Sequence, residues 1–258
     1  MVTRDAAPVG APCWIDLLTD NPDAARAFYR DLFGWTPLEQ SEEFGGYWMW
    51  ARDGVPVAGG MGARPGEQTE GIWSVYLAVE DAEKTVETAA AEGAQVIVPV
   101  MTVGDMGVMA VLQDPTGARV GIWQPKQFNG FTVIGEPGAP GWFELLTRDY
   151  DRAVTFYRNV FGWDAHTMAD TPEFRYTTLG EGERASAGIM DASNFLGADE
   201  KPYWGTYFAV TDTDATLARA KELGGNIARE PQDTPYGRMA TVTDPGGTRL
   251  NVMGPAAG

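Results

Sequence analysis

The chain has 258 residues, with 36 acidic against 19 basic side chains and a formal charge of −17. That balance argues against nucleic acid, whose phosphates are met by clustered Lys and Arg, and against an anionic membrane surface. Cys13 and His166 are each the only residue of their type, which excludes an internal disulfide, a cysteine metal cluster and any multi-histidine site or two-histidine mechanism. No apolar run approaches the ~18 residues of a membrane helix. Met1 to Pro12 has neither the basic start nor the apolar stretch of a secretory signal, so the expected location is the cytoplasm.

In chain order, WIDLL from Trp14 reads as a short strand. Asn21 is placed to cap a helix with Pro22 at its first position. Ala25, Phe28, Tyr29, Leu32 and Phe33 then share one helical face, and Gly34 stops the helix. Gly46 to Ala51 and Val55 to Met61 read as strands. Trp73 to Val79 is a further strand, Asp81 caps a second helix, and Gly93 ends it. Gln95 to Val100, Val108 to Gln113 and Arg119 to Trp123 read as three more strands.

The pattern then starts again. WIDLLTDNPDAARAFYRDLFGW from Trp14 and WFELLTRDYDRAVTFYRNVFGW from Trp142 match at 12 of 22 positions. Gly59-Gly60-Met61 meets Gly188-Ile189-Met190. WSVYLAVED from Trp73 meets WGTYFAVTD from Trp204, and DPTGARVGIW from Asp114 meets DPGGTRLNVM from Asp244. Each copy divides again, at an offset of about 60, into strand, helix and two or three strands. Asp149 and Asp212 take the cap positions of the second copy. The expected organisation is a first domain over 1–124, a Gly/Pro-rich linker over 125–140 and a second domain over 141–258.

The motifs Ala27-Phe28-Tyr29 with Phe33-Gly34-Trp35, Phe156-Tyr157 with Phe161-Gly162-Trp163, and the Asp-Pro-x-Gly turns at Asp114 and Asp244 resemble the vicinal oxygen chelate superfamily. That superfamily includes glyoxalase I, bleomycin-resistance proteins and extradiol dioxygenases, and the likeness covers almost the whole chain. It most resembles the two-copy actinobacterial proteins labelled glyoxalase-like or hydroxylase. The resemblance implies an α+β fold of four βαβββ modules, each pair curling one sheet around a cup. It also implies where a metal would sit: seven residues before the cap of each module's helix and seven after the Asp of each Asp-Pro-x-Gly turn. Those positions hold Trp14, Ser74 and Gly121 in the first copy and Trp142, Gly205 and Asn251 in the second. They offer too few donors for a divalent metal, and no cofactor is expected.

Alternation along the strands puts Trp14 with Asp16, and Trp142 with Glu144, on the presumed cup face. Arg119 and Trp123 share the parity of Gly121, and Arg249 that of Asn251. Trp48, Trp50, Trp73, Tyr176 and Trp204 lie on neighbouring strands. Gly104 to Met109 and Pro235 to Met239, the latter with Tyr236, read as rims. Trp48-Met49-Trp50 in the first copy is set against Tyr176-Thr177-Thr178 in the second, which makes the first cup the more apolar. The expected function is metal-independent binding of a planar, largely apolar small molecule such as an aromatic metabolite or antibiotic. It would act by sequestration or as an accessory in natural-product biosynthesis. Two alternatives stay open: a lyase, isomerase or oxygenase using Asp16 or Glu144, and a scaffold that binds another protein. The chain is expected to act as a monomer or homodimer.

Overall fold

The computed structural model describes residues 5–38, 44–64 and 71–256. The first half runs β1 (Pro12–Thr19), α1 (Pro22–Phe33), β2 (Thr36–Pro37), β3 (Trp48–Arg52) and β4 (Val55–Gly62). It repeats the plan with β5 (Ile72–Ala78), α2 (Ala82–Ala91), β6 (Gln95–Val103), β7 (Gly107–Gln113) and β8 (Arg119–Pro125). The second half follows with β9 (Pro140–Thr147), α3 (Tyr150–Phe161), β10 (Ala165–Asp170), β11 (Arg175–Leu179) and β12 (Ala187–Asp191). It closes with β13 (Tyr203–Ala209), α4 (Thr213–Glu222), β14 (Asn226–Thr234), β15 (Gly237–Thr243) and β16 (Arg249–Gly254). These are four βαβββ modules.

Each half is one eight-stranded sheet, in the orders β2-β3-β4-β1-β5-β8-β7-β6 and β10-β11-β12-β9-β13-β16-β15-β14. The two modules of a half meet where β1 runs antiparallel to β5, and β9 to β13. Within a module the first strand pairs parallel with the last, β1 with β4 and β5 with β8, and the helix makes the crossover between them. Two edge strands, β2 and β10, bring the strands after α1 and α3 to three each. The second one pairs His166 with Thr178 of β11.

The helices begin and end where the chain supplies the means. Asn21 accepts from the Ala24 N–H, Pro22 starts α1, and Gly34 ends it with φ 71°. Asp81 and Asp212 cap α2 and α4 through the Lys84 and Ala215 N–H groups. Asp149 does not: its side chain makes no capping bond, and its own N–H donates to Thr147 Oγ1.

One face of each sheet packs on the helices, and this is where most indoles go. Tyr29, Trp35, Trp50 and Trp73 form one aromatic cluster with Phe208 of the other half. The halves are tied reciprocally. Tyr29 of α1 donates to Asp244 at 3.2 Å and accepts from the Trp73 indole at 3.0 Å. Tyr157 of α3 donates to Asp114 at 2.9 Å and accepts from Trp204 at 2.8 Å. Trp35 donates to the Gly138 carbonyl, and Trp163 to that of Gly10. The Asp of each Asp-Pro-x-Gly turn therefore closes its own turn and anchors the helix of the opposite half.

Candidate functional site

The opposite face of each sheet forms the cup, and strand register decides which side chains reach it. In the first half Asp16 pairs with Ser74 and Gly59, Trp14 with Tyr76, and Tyr76 with Gly121. The floor is thus Trp14, Asp16, Ser74 and Tyr76, joined from β3 by Met49 opposite Gly59 and, just before that strand, by Tyr47. The Trp14 indole donates to the Tyr47 hydroxyl at 2.8 Å. A Cβ at Gly59 would fall on that hydroxyl, so only glycine lets the phenol lie there.

Asp16 keeps some solvent access at the bottom of this cup. Burial nonetheless pushes its carboxyl up to about 7, against the opposing effect of hydrogen bonds from the Tyr76 and Ser74 hydroxyls. Burial and the nearby Asp16 charge hold the Tyr47 and Tyr76 phenols well above their ordinary value, so both stay protonated donors at neutral pH.

The second cup repeats the motif with changed chemistry. Trp142 donates to the Tyr176 hydroxyl at 2.9 Å, and Gly188 leaves room for that phenol. Tyr207 donates to Glu144 at 3.1 Å, and Tyr176 also hydrogen-bonds that carboxylate. Burial raises the Glu144 pKa, and the two phenols and the Arg229 charge oppose the rise. Where β7 and β8 supply Val111 and Gly121, β15 and β16 supply Thr241 and Asn251, joined by a 2.7 Å hydrogen bond.

The structure redistributes the sequence-selected residues. Trp14, Asp16, Trp123, Trp142, Glu144, Tyr176 and Asn251 lie on the cup faces. Trp48 and Trp50 lie on the opposite face of β3 and are 1% and 0% exposed. Trp73 and Trp204 are spent on Tyr29 and Tyr157 in the core. Arg119 is exposed at the start of β8, and Arg249 pairs with Glu200 rather than Glu144. Tyr236 is 63% exposed in the turn before β15. The equivalence drawn between 48–50 and 176–178 slips by one residue, since the Trp partner of the second cup, Tyr176, corresponds to Tyr47. The Gly59 and Gly188 registers, Met49 against Gly59 and Thr178 against Gly188, carry that correction. The segment between β8 and β9 also enters the site: Phe128 packs edge-on to Trp14 at 4.8 Å and its carbonyl accepts from Trp123, while Phe131 is fully buried beside Trp14.

The metal positions implied by the fold do not fit a metal. The Tyr76 ring occupies the space that a side chain at Gly121 would need, and the Asn251 amide lies over Gly205. Among the described residues no group of three His, Cys, Asp or Glu side chains comes together. No helix among them is long and apolar enough to cross a membrane.

Fold and repeat together define a protein of the Glyoxalase/Bleomycin resistance protein/Dioxygenase superfamily, and the chain belongs to it: the family's model matches residues 13–122 and again 139–252. Among relatives, the putative glyoxylase CFP32 of Mycobacterium tuberculosis is 38% identical over 99% of both chains. The anthracycline biosynthesis protein DnrV of Streptomyces peucetius is 38% identical over 95% of this chain and 93% of its own. The Mn(II)-bound glyoxalase of Novosphingobium aromaticivorans superposes with a TM-score of 0.63 at 16% identity, covering 95% of this chain and 82% of its own. The 2,3-dioxygenase LapB of Pseudomonas sp. KL28 gives 0.64 at 12% identity, with 96% and 93% covered. At those identities the likeness concerns the fold alone.

Proposed function

We propose that the chain binds a planar, largely apolar small molecule in its cups without a metal, in the cytoplasm, as part of a natural-product pathway. The observation that carries this reading is the floor of the first cup: a half-buried carboxylate, two phenols and an indole, ringed by Met49, Trp123 and Phe128. Aromatic faces contribute about 0.5–1.5 kcal/mol per stacked or edge-on pair beyond area burial. Methionine adapts to an irregular apolar ring system. Asp16 accepts a hydrogen bond from a ligand hydroxyl, and the Tyr47 and Tyr76 hydroxyls can reorient to answer a carbonyl. The name of the relative DnrV supports a polycyclic aromatic ligand of the anthracycline type. Calorimetric titration with 2-naphthol and 1,4-dihydroxyanthraquinone tests it. Saturable binding that weakens in Asp16→Asn is expected, and no binding of either compound refutes it.

A second reading, proton-transfer catalysis, is favoured by one observation. A carboxyl poised near neutrality inside a ring of phenols suits a general acid or base that moves a proton between two positions of the bound ring system. In that case Asp16→Asn abolishes turnover while binding persists.

A further inference from the structure

The two cups differ along one row of residues that crosses the second sheet. Arg229 of β14 pairs with Thr241, Thr241 with Asn251, Asn251 with Tyr207, and Tyr207 with Trp142. All five are in register, so they share the cup face. The corresponding row of the first sheet is Val98, Val111, Gly121, Tyr76 and Trp14. Three apolar or empty positions have become a guanidinium, a hydroxyl and an amide.

The orientation of these groups matters more than their number. Asn251 is 6% exposed, and its Oδ1 is occupied by the Thr241 hydroxyl at 2.7 Å. Its Nδ2 is thereby turned the other way, over Gly205, beside Glu144 on the neighbouring row. A side-chain amide so fixed presents N–H donors to the cup. The Arg229 guanidinium is exposed on the same face, and its field reaches Glu144, Tyr203 and Tyr207. The other arginine of this end, Arg249, is held by Glu200. Glu144 faces the same space, but Tyr176 and Tyr207 already hydrogen-bond it, which leaves it fit to accept from a ligand hydroxyl. A chain of charge −17 repels anions at long range, so donors placed locally decide whether one enters.

We infer that the second cup, and not the first, is a site for a planar aromatic hydroxy acid. Its carboxylate is held by the Arg229 guanidinium and the Asn251 amide, and its hydroxyl is directed to Glu144. At the strand position that the resemblance assigns to a metal ligand, this chain places an amide toward an anion. The inference rests on the planar-ligand reading and adds to it the charge of the ligand and the cup that takes it.

The test is calorimetry with 6-hydroxy-2-naphthoate, whose hydroxyl is too far from its carboxylate to bond it internally, and its neutral counterpart 2-naphthol on the full chain, wild type, Arg229→Gln and Asn251→Ala. Arg229 is exposed, so Arg229→Gln should melt with the wild type. The naphthoate should bind the wild type and lose at least about tenfold in affinity in each variant, the scale of one charge-assisted hydrogen bond. Its affinity should also fall with added salt, while that of 2-naphthol changes by less than about twofold in Arg229→Gln. If 2-naphthol binds but the naphthoate does not, or binds equally well to both variants, this inference fails and the planar-ligand reading stands. If neither compound binds the wild type, both fail together.

Discussion

Asp16 is the carboxyl that burial holds near neutrality, and its titration has a definite sign. Its carboxyl is held near about 7 in the folded chain against 3.8 for the ordinary side chain, so the folded state binds the proton more tightly than the unfolded one. The associated stability is fully present below pH 3.8 and is lost as pH rises toward 7. Glu144, Asp114 and Asp244 are shifted in the same direction, so only a difference measurement isolates Asp16. The melting temperature of Asp16→Asn minus that of the wild type should become more positive from pH 4 to pH 7. A flat difference would place the carboxyl in an ordinary solvated environment. Gly121 makes the second prediction at this scale. A methyl there would fall inside the Tyr76 ring, so Gly121→Ala should cost about 1–3 kcal/mol in chemical denaturation as an overpacked site.

At the scale of elements, the helix caps give a paired prediction. Asn21→Ala removes a side-chain cap and should cost about 1 kcal/mol, whereas Asp149→Ala removes none and should cost less than about half that. Sequence pattern located the four helices and the long strands because apolar periodicity, capping residues and the duplicated motifs all pointed the same way. It did not resolve the site equally well. Trp14, Asp16, Trp142 and Glu144 were legible because simple alternation within one strand fixes their face. Tyr47 lies inside the strand read over Gly46 to Ala51 but is passed over, because matching Trp48 rather than Tyr47 to Tyr176 is a one-residue slip that exchanges the cup face for the core face. That same slip moved Trp48 and Trp50 onto the wrong side. Arg229 was hidden by irregular register in β14, where the pairing jumps between Ile227, Arg229 and Gln232. The Gly–Tyr complementarity, Gly59 with Tyr47 and Gly188 with Tyr176, was the signal that could have set the frame.

At the scale of the whole molecule, duplication has been used to tie the halves together. Each half lends its Asp-Pro-x-Gly carboxylate to the other half's helix tyrosine, and each tyrosine in turn receives an indole N–H from its own half. Tyr29→Phe leaves two buried polar groups, Asp244 and Trp73 Nε1, short of a partner, and Tyr157→Phe does the same to Asp114 and Trp204. Each change should cost about 1–3 kcal/mol, and the melt should remain a single transition in which tryptophan fluorescence and far-ultraviolet dichroism coincide. Two separated transitions would show that the halves fold independently of this exchange. The shared core also explains why nine tryptophans do not translate into nine site residues: the helix-packed face takes Trp35, Trp48, Trp50, Trp73, Trp163 and Trp204, and the cups keep Trp14, Trp123 and Trp142.

In the reading we propose, this member of the superfamily holds a planar ligand on a carboxylate–phenol floor rather than on a metal. The most direct test is one titration carried out three ways: 1,4-dihydroxyanthraquinone into chelator-treated wild type, into wild type with added Mn²⁺ or Zn²⁺, and into chelator-treated Asp16→Asn. Equal affinity is expected in the first two and weaker binding, by about 1–3 kcal/mol, in the third. Binding that appears only when a stoichiometric metal is restored, and that ignores Asp16→Asn, would contradict it.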